Sequence, residues 1–102
     1  MAGQFDKWTN LRAEGEQLRI DFIWTELETC RTFTSLAATE YEIGDREAAE
    51  YCIGESEKAY RTVFRFLSDV TCVEERRRIQ TKLRELRETL DNMRQRIGKI
   101  AG

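Results

Sequence analysis

The sequence has no proline, no histidine, few cysteines and no long apolar run. Each shortage removes a class of answer. Without proline, nothing in the 102 residues forces a helix to break or kink. Without histidine, the side chain that most often serves as a general base near neutral pH is missing. The cysteines are three, Cys30, Cys52 and Cys72, odd in number and widely spaced. That pattern argues against a disulfide framework and fits a reducing compartment. With no histidine and no two cysteines close together, no structural zinc site is expected. No stretch of about 18 apolar residues exists to cross a membrane. Met1 to Lys7 lacks the basic start and apolar block of a secretory signal, and Gly3 follows Ala2 rather than the initiator. The expected location is cytoplasmic, with no membrane partner. There is no Gly-rich phosphate loop, and no nucleophile has an obvious base beside it. No catalytic residue, cofactor or metal is therefore expected.

What is present is helical periodicity. In the last third, apolar residues fall at Ile79, Leu83, Leu86, Leu90, Met93, Ile97 and Ile100, alternating steps of four and three. That is a heptad seam on one long helix, and it requires helical partners. Two are available. One stripe runs through Ile20, Ile23, Leu27, Cys30, Thr34, Ala37 and Tyr41. The other runs through Ala49, Cys52, Ser56, Ala59, Val63 and Phe66, flanked by Ile53, Tyr60, Phe64 and Leu67. The three cysteines project onto or beside these stripes and read as small buried hydrophobes.

The breaks between helices are equally local. Gly44 is the residue type that ends a helix in a left-handed turn, and Asp45 can cap the next one. Thr71-Cys72-Val73-Glu74 matches a capping box and places the third helix start near Thr71. The expected fold is all-α: an up-down-up three-helix bundle over residues 17–102, with long antiparallel helices at about 17–43, 46–68 and 72–98 and a coiled-coil-like seam. Residues 1–16 read as a loosely ordered segment or short helix, or as an extension of the first helix. Gly15 and the charged run Arg12 to Glu16 interrupt the spacing of Phe5, Trp8 and Leu11.

Charge is unevenly distributed. Residues 1–72 hold 8 basic and 14 acidic side chains, while residues 73–102 hold 9 and 5. Basic flanks on the third helix (Lys82, Arg87, Arg94, Arg96) are expected to face acidic flanks on the other two (Glu26, Glu40, Glu55, Asp69) and to select the arrangement of the bundle. Glu74 stands four residues before Arg78, a favourable ion-pair spacing. The alternative use of this charge is external: Arg76, Arg77, Arg84 and Arg87 form a basic face for nucleic acid or another anionic partner.

From Phe33 to Ala59 the chain carries Phe33, Leu36-Ala37, Tyr41, Gly44-Asp45, Ala49, Ile53 and Ala59. This pattern resembles a single tetratricopeptide-type unit, over about a quarter of the chain. The resemblance implies a tight αα-hairpin with close packing at Ala49. In that family a concave groove built from several repeats binds peptides.

The first helix carries more apolar surface than an inward stripe requires. Leu18, Phe22, Phe33, Leu36 and Ile43 form a second stripe, with Trp24 and Ala38 on the opposite flank. An amphipathic helix in a small domain needs an apolar arc of only about 100° or somewhat more. The excess marks an association surface anchored by Leu18, Phe22, Trp24, Phe33 and Leu36. The expectation is a non-enzymatic protein that forms a homo-oligomer, most simply a dimer, or docks another helical protein. A further alternative is a small-ligand-binding bundle whose aromatic residues line a cavity.

Overall fold

The computed structural model describes residues 2–101, with side-chain placements for residues 14–98. Among them are three helices: α1 (Ala2–Glu42), α2 (Arg46–Leu67) and α3 (Val73–Ala101). They pack as an all-α three-helix bundle, with α1 and α3 parallel and α2 antiparallel to both. α1 begins at Ala2 rather than Gln17, so residues 2–16 continue the first helix. Gly15 costs about 1 kcal/mol there, and with no proline nearby nothing else stops the helix. The Phe5, Trp8, Leu11 and Ile100 side chains lie outside the described set.

The core is built from the expected stripes. Ile20, Ile23, Leu27, Cys30 and Ala37 of α1 are buried with Ala49, Cys52, Ala59 and Val63 of α2, and α3 contributes Ile79, Leu83, Leu86, Leu90, Met93 and Ile97. α1 and α2 approach each other most closely, because their facing residues are small. A buried polar cluster lies between them. Ser56 Oγ and Thr34 Oγ1 both donate to the Cys30 carbonyl oxygen, at 2.8 and 2.7 Å. Ser56 Oγ also lies 2.7 Å from Thr34 Oγ1 and 3.1 Å from Cys30 Sγ. Every polar atom in the cluster has a partner, so it holds one register of α1 against α2 without an unsatisfied group.

The α1–α2 turn follows from its two residues. Gly44 takes φ +88°, open to glycine. Its N–H donates to the Tyr41 carbonyl, and the Asp45 N–H donates to that of Glu40, the pairing of a Schellman motif. Asp45 then caps α2 by accepting from the Ala48 N–H at 3.0 Å.

The α2–α3 turn departs from expectation. Thr71 does not cap α3 through a local box; its hydroxyl donates instead to Glu16 Oε1 of α1, at 3.0 Å. The same oxygen accepts the backbone N–H groups of Thr71 and Cys72, at 2.9 and 3.4 Å. A carboxylate is a stronger acceptor than a hydroxyl, and tertiary packing delivers this one. From the other side, Arg19 donates to the Asp69 carbonyl at 3.2 Å, and Arg76 donates to that of Val70. Val70 is fully buried and takes the core place beneath the turn. Cys72 is therefore exposed, unlike Cys30 and Cys52.

The Thr71 contacts, above all that of its backbone N–H, hold the Glu16 carboxyl below its usual range. Glu16→Ala is expected to cost about 1 kcal/mol, the scale of a lost helix cap. Hydrogen exchange should localise the loss: the Thr71 and Cys72 amides become fast-exchanging while those of α2 do not.

Candidate functional site

Three surfaces carry the residues singled out by the sequence. The first is the outer flank of α1. At about 100° per residue, Leu18, Phe22, Leu36 and Ile43 fall within roughly 60° of one another. Leu18 is 69% exposed and Ile43 70%, and Phe22 and Leu36 are each a little over 40% exposed. Phe22 meets Phe66 of α2 in an edge-to-face contact, with centroids 5.6 Å apart, and still leaves 44% of its surface in solvent. Phe33 packs against the core from the same side. Carboxylates rim this flank. Between residues 14 and 43, α1 has seven acidic side chains against two arginines. Both arginines are engaged within the helix, Arg19 by Glu16 and Arg31 by Glu28.

Trp24 does not join this surface. It turns to the opposite flank, packs against the core, and its indole N–H donates to Glu75 Oε2 of α3 at 3.1 Å. With Leu27 and Leu86 it lines a groove of about 460 Å³ between α1 and α3. Two ion pairs border that groove, Glu28–Arg31 and Lys82–Glu85.

The second surface is the basic side of α3, where the four predicted arginines separate into two kinds. Arg76 is bound to the turn carbonyl of Val70. Arg87 is the centre of an internal network. Its Nη1 and Nη2 donate to the two oxygens of Glu57, at 3.0 and 2.8 Å, and Nη2 also reaches Asp91 at 2.7 Å. The guanidinium carbon lies 5.0 Å from the centre of the Tyr60 ring. Arg94 donates to Glu57 from the next turns, at 3.0 Å. Arg77 and Arg84 are exposed and make no ion pair among the described residues.

Glu57 is thus the acidic partner of α3, in place of Glu26, Glu40, Glu55 or Asp69. It is 7% exposed. The hydrogen bond from Arg87 leads the effects that hold its carboxyl below the usual range, against its own desolvation. The same bond, and then that to Asp91, hold Arg87 more firmly protonated. Glu55 pairs instead with Lys58, and Arg78 with Glu75 rather than Glu74. A side chain sees neighbours three and four residues away before it sees another helix.

The third surface is the seam between α2 and α3. A cleft of about 400 Å³ opens there, lined by Tyr60, Phe64, Leu67, Leu83, Arg84 and Arg87. The spacing of Phe64 places it beside the core stripe of α2, but it is 64% exposed. The Cys30 thiol is pushed up chiefly by burial, and so is that of Cys52, which leaves both poor nucleophiles. Among the described residues no group of three or more Cys, Asp or Glu side chains is placed to hold a metal ion, and no helix is long and apolar enough to cross a membrane. Among the described residues, Phe22 and Phe66, Trp24, and Tyr60 and Phe64 lie on three different faces.

The chain matches no protein-family model, no curated protein and no solved structure. Any functional reading therefore rests on these surfaces.

Proposed function

We propose that the protein is a non-enzymatic self-association module that docks through the outer flank of α1. The observation that carries this reading is the exposure of Leu18, Phe22, Leu36 and Ile43 along one line of a helix whose inward stripe is already filled. These side chains form two groups on that line, Leu18 with Phe22 and Leu36 with Ile43, with Thr25, Thr29 and Thr32 between them; exposed apolar surface marks association sites in water-soluble proteins. The line from Leu18 to Ile43 is about 38 Å long at 1.5 Å per residue, ample for a helical interface. Buried polar groups support binding over catalysis: Cys30, Thr34 and Ser56 bond one another, and Glu57 is held by Arg87 and Arg94. Three free thiols support a reducing compartment, taken to be the cytoplasm.

Light scattering on a sizing column tests the reading. The native chain is expected to run above 12.0 kDa at micromolar concentration. A Phe22→Asp, Leu36→Asp variant is expected to run as a folded monomer, since both sites are partly exposed and a charge in the interface costs several kcal/mol of affinity. An oligomer unchanged by these substitutions rules out this flank as its site.

A further inference from the structure

We infer that the α1 flank docks head-to-tail into the basic, aromatic cleft between α2 and α3 of a second copy of this chain. The inference rests on the self-association proposed above and names its partner surface. Two faces of one molecule complement each other in both polarity and charge. On α1, Leu18 and Phe22 stand between Asp21 on one side and Glu26 on the other. In the cleft, exposed Phe64 and partly buried Leu67 supply the apolar surface, and Arg84 lines it as well. Arg61, one turn before Phe64, is also exposed. Neither Arg61 nor Arg84 has an ion-pair partner among the described residues. Unpaired cations beside an exposed aromatic ring lack what the α1 flank presents, which is a pair of apolar side chains between two carboxylates.

The obvious alternative is symmetric pairing of α1 with α1. It brings like charges together, since Asp21, Glu26 and Glu40 rim the flank of both copies, and the two cations among the described α1 side chains, Arg19 and Arg31, are already paired with Glu16 and Glu28. Like-charge juxtaposition opposes an interface. The cleft meets the same flank with opposite charge. It also has room, because a volume of about 400 Å³ accepts the ends of two large side chains. Farther along the α2–α3 seam, the sites of Gly54 and Gly98 are open, with nothing within 4 Å of an added Cβ, so a second helix can approach there.

The two faces are on different sides of the bundle and cannot meet within one molecule. The contact is therefore heterologous: each copy uses its α1 flank on one neighbour and its cleft on another. Association of this kind continues with concentration unless the rotation closes a ring. It weakens as salt screens the charged rims.

Charge reversal on each side, followed by mixing, tests the inference by sedimentation velocity. Arg61→Glu with Arg84→Glu, and Asp21→Lys with Glu26→Lys, are each expected to weaken association by about tenfold or more. Asp21, Arg61 and Arg84 are exposed and Glu26 is partly exposed, and circular dichroism should show both variants folded. An equimolar mixture is expected to recover association, because each variant then finds a face of opposite sign. If the Arg61→Glu, Arg84→Glu variant associates like the native chain while Phe22→Asp, Leu36→Asp does not, the cleft is not the partner surface and the inference falls, though the α1 reading stands. If the native chain is a monomer at every concentration, both fall. If the cleft variant loses salt-sensitive binding of single-stranded DNA but keeps its association, the cleft belongs to nucleic acid and the inference is overturned.

Discussion

Replacing Ala49 with leucine is expected to lower the unfolding free energy by about 3 kcal/mol, the upper end for overpacking a core site. Ala49 is fully buried one turn into α2, as is Ala37 on α1. Two turns farther along α2, Ser56 Oγ donates directly to a main-chain oxygen of α1, which shows how closely the two backbones run on this side. Three added carbon atoms have no space to enter unless the helices separate, and separation breaks that hydrogen bond as well. Leu36→Ala, on the exposed flank, is the matched control. It should change stability by less than about 0.5 kcal/mol. Urea denaturation measures both. An Ala49→Leu cost under 1 kcal/mol would contradict the tight α1–α2 contact.

Glu57→Ala is expected to cost a further large amount, about 2–3 kcal/mol. Hydrogen bonds to charged partners contribute roughly 1.5–3 kcal/mol each, but Arg87 and Arg94 are partly exposed and recover some of that from water. The effect depends on pH with a definite sign. The carboxyl of Glu57 is depressed in the folded protein below its ordinary value of 4.5. Its contribution is therefore complete above that value and is lost as pH falls through the folded-state pKa. Glu16, also depressed, acts in the same direction. Stability of the native chain should fall on acidification below about 4.5. Glu57→Gln should begin less stable at neutral pH and lose less over the same range. Parallel pH profiles for the two proteins would show that Glu57 is not ionised against Arg87 and Arg94.

The seams of all three helices were legible because burial imposes a spacing of three and four, and no proline competes with it. The Gly44-Asp45 turn was legible for the same kind of reason: its chemistry is local. The contacts that were missed are those made by distant residues. Nothing near Glu16 in sequence indicates that its carboxylate will accept the N–H groups of Thr71 and Cys72. The capping box at Thr71 fitted the local pattern and lost to that longer-range acceptor. Glu57 is charged, and charged side chains are expected outside, so periodicity could not select it over Glu55 as the partner of α3. The surplus on α1 was visible as a second apolar stripe with Trp24 on the opposite flank, yet what each flank meets was not. Phe22 faces α2, whereas Trp24 finds a hydrogen-bond partner on α3. Phe64 shows the converse, since its spacing fits the edge of the core and its ring lies outside. Which of two adjacent positions meets solvent depends on where the third helix sits.

Sedimentation equilibrium of the native chain, run over a wide range of concentration at low and high salt, tests the central claim most directly. The average mass is expected to rise above 12.0 kDa with concentration and to return toward it as salt is added. A single species of 12.0 kDa under every condition would contradict it.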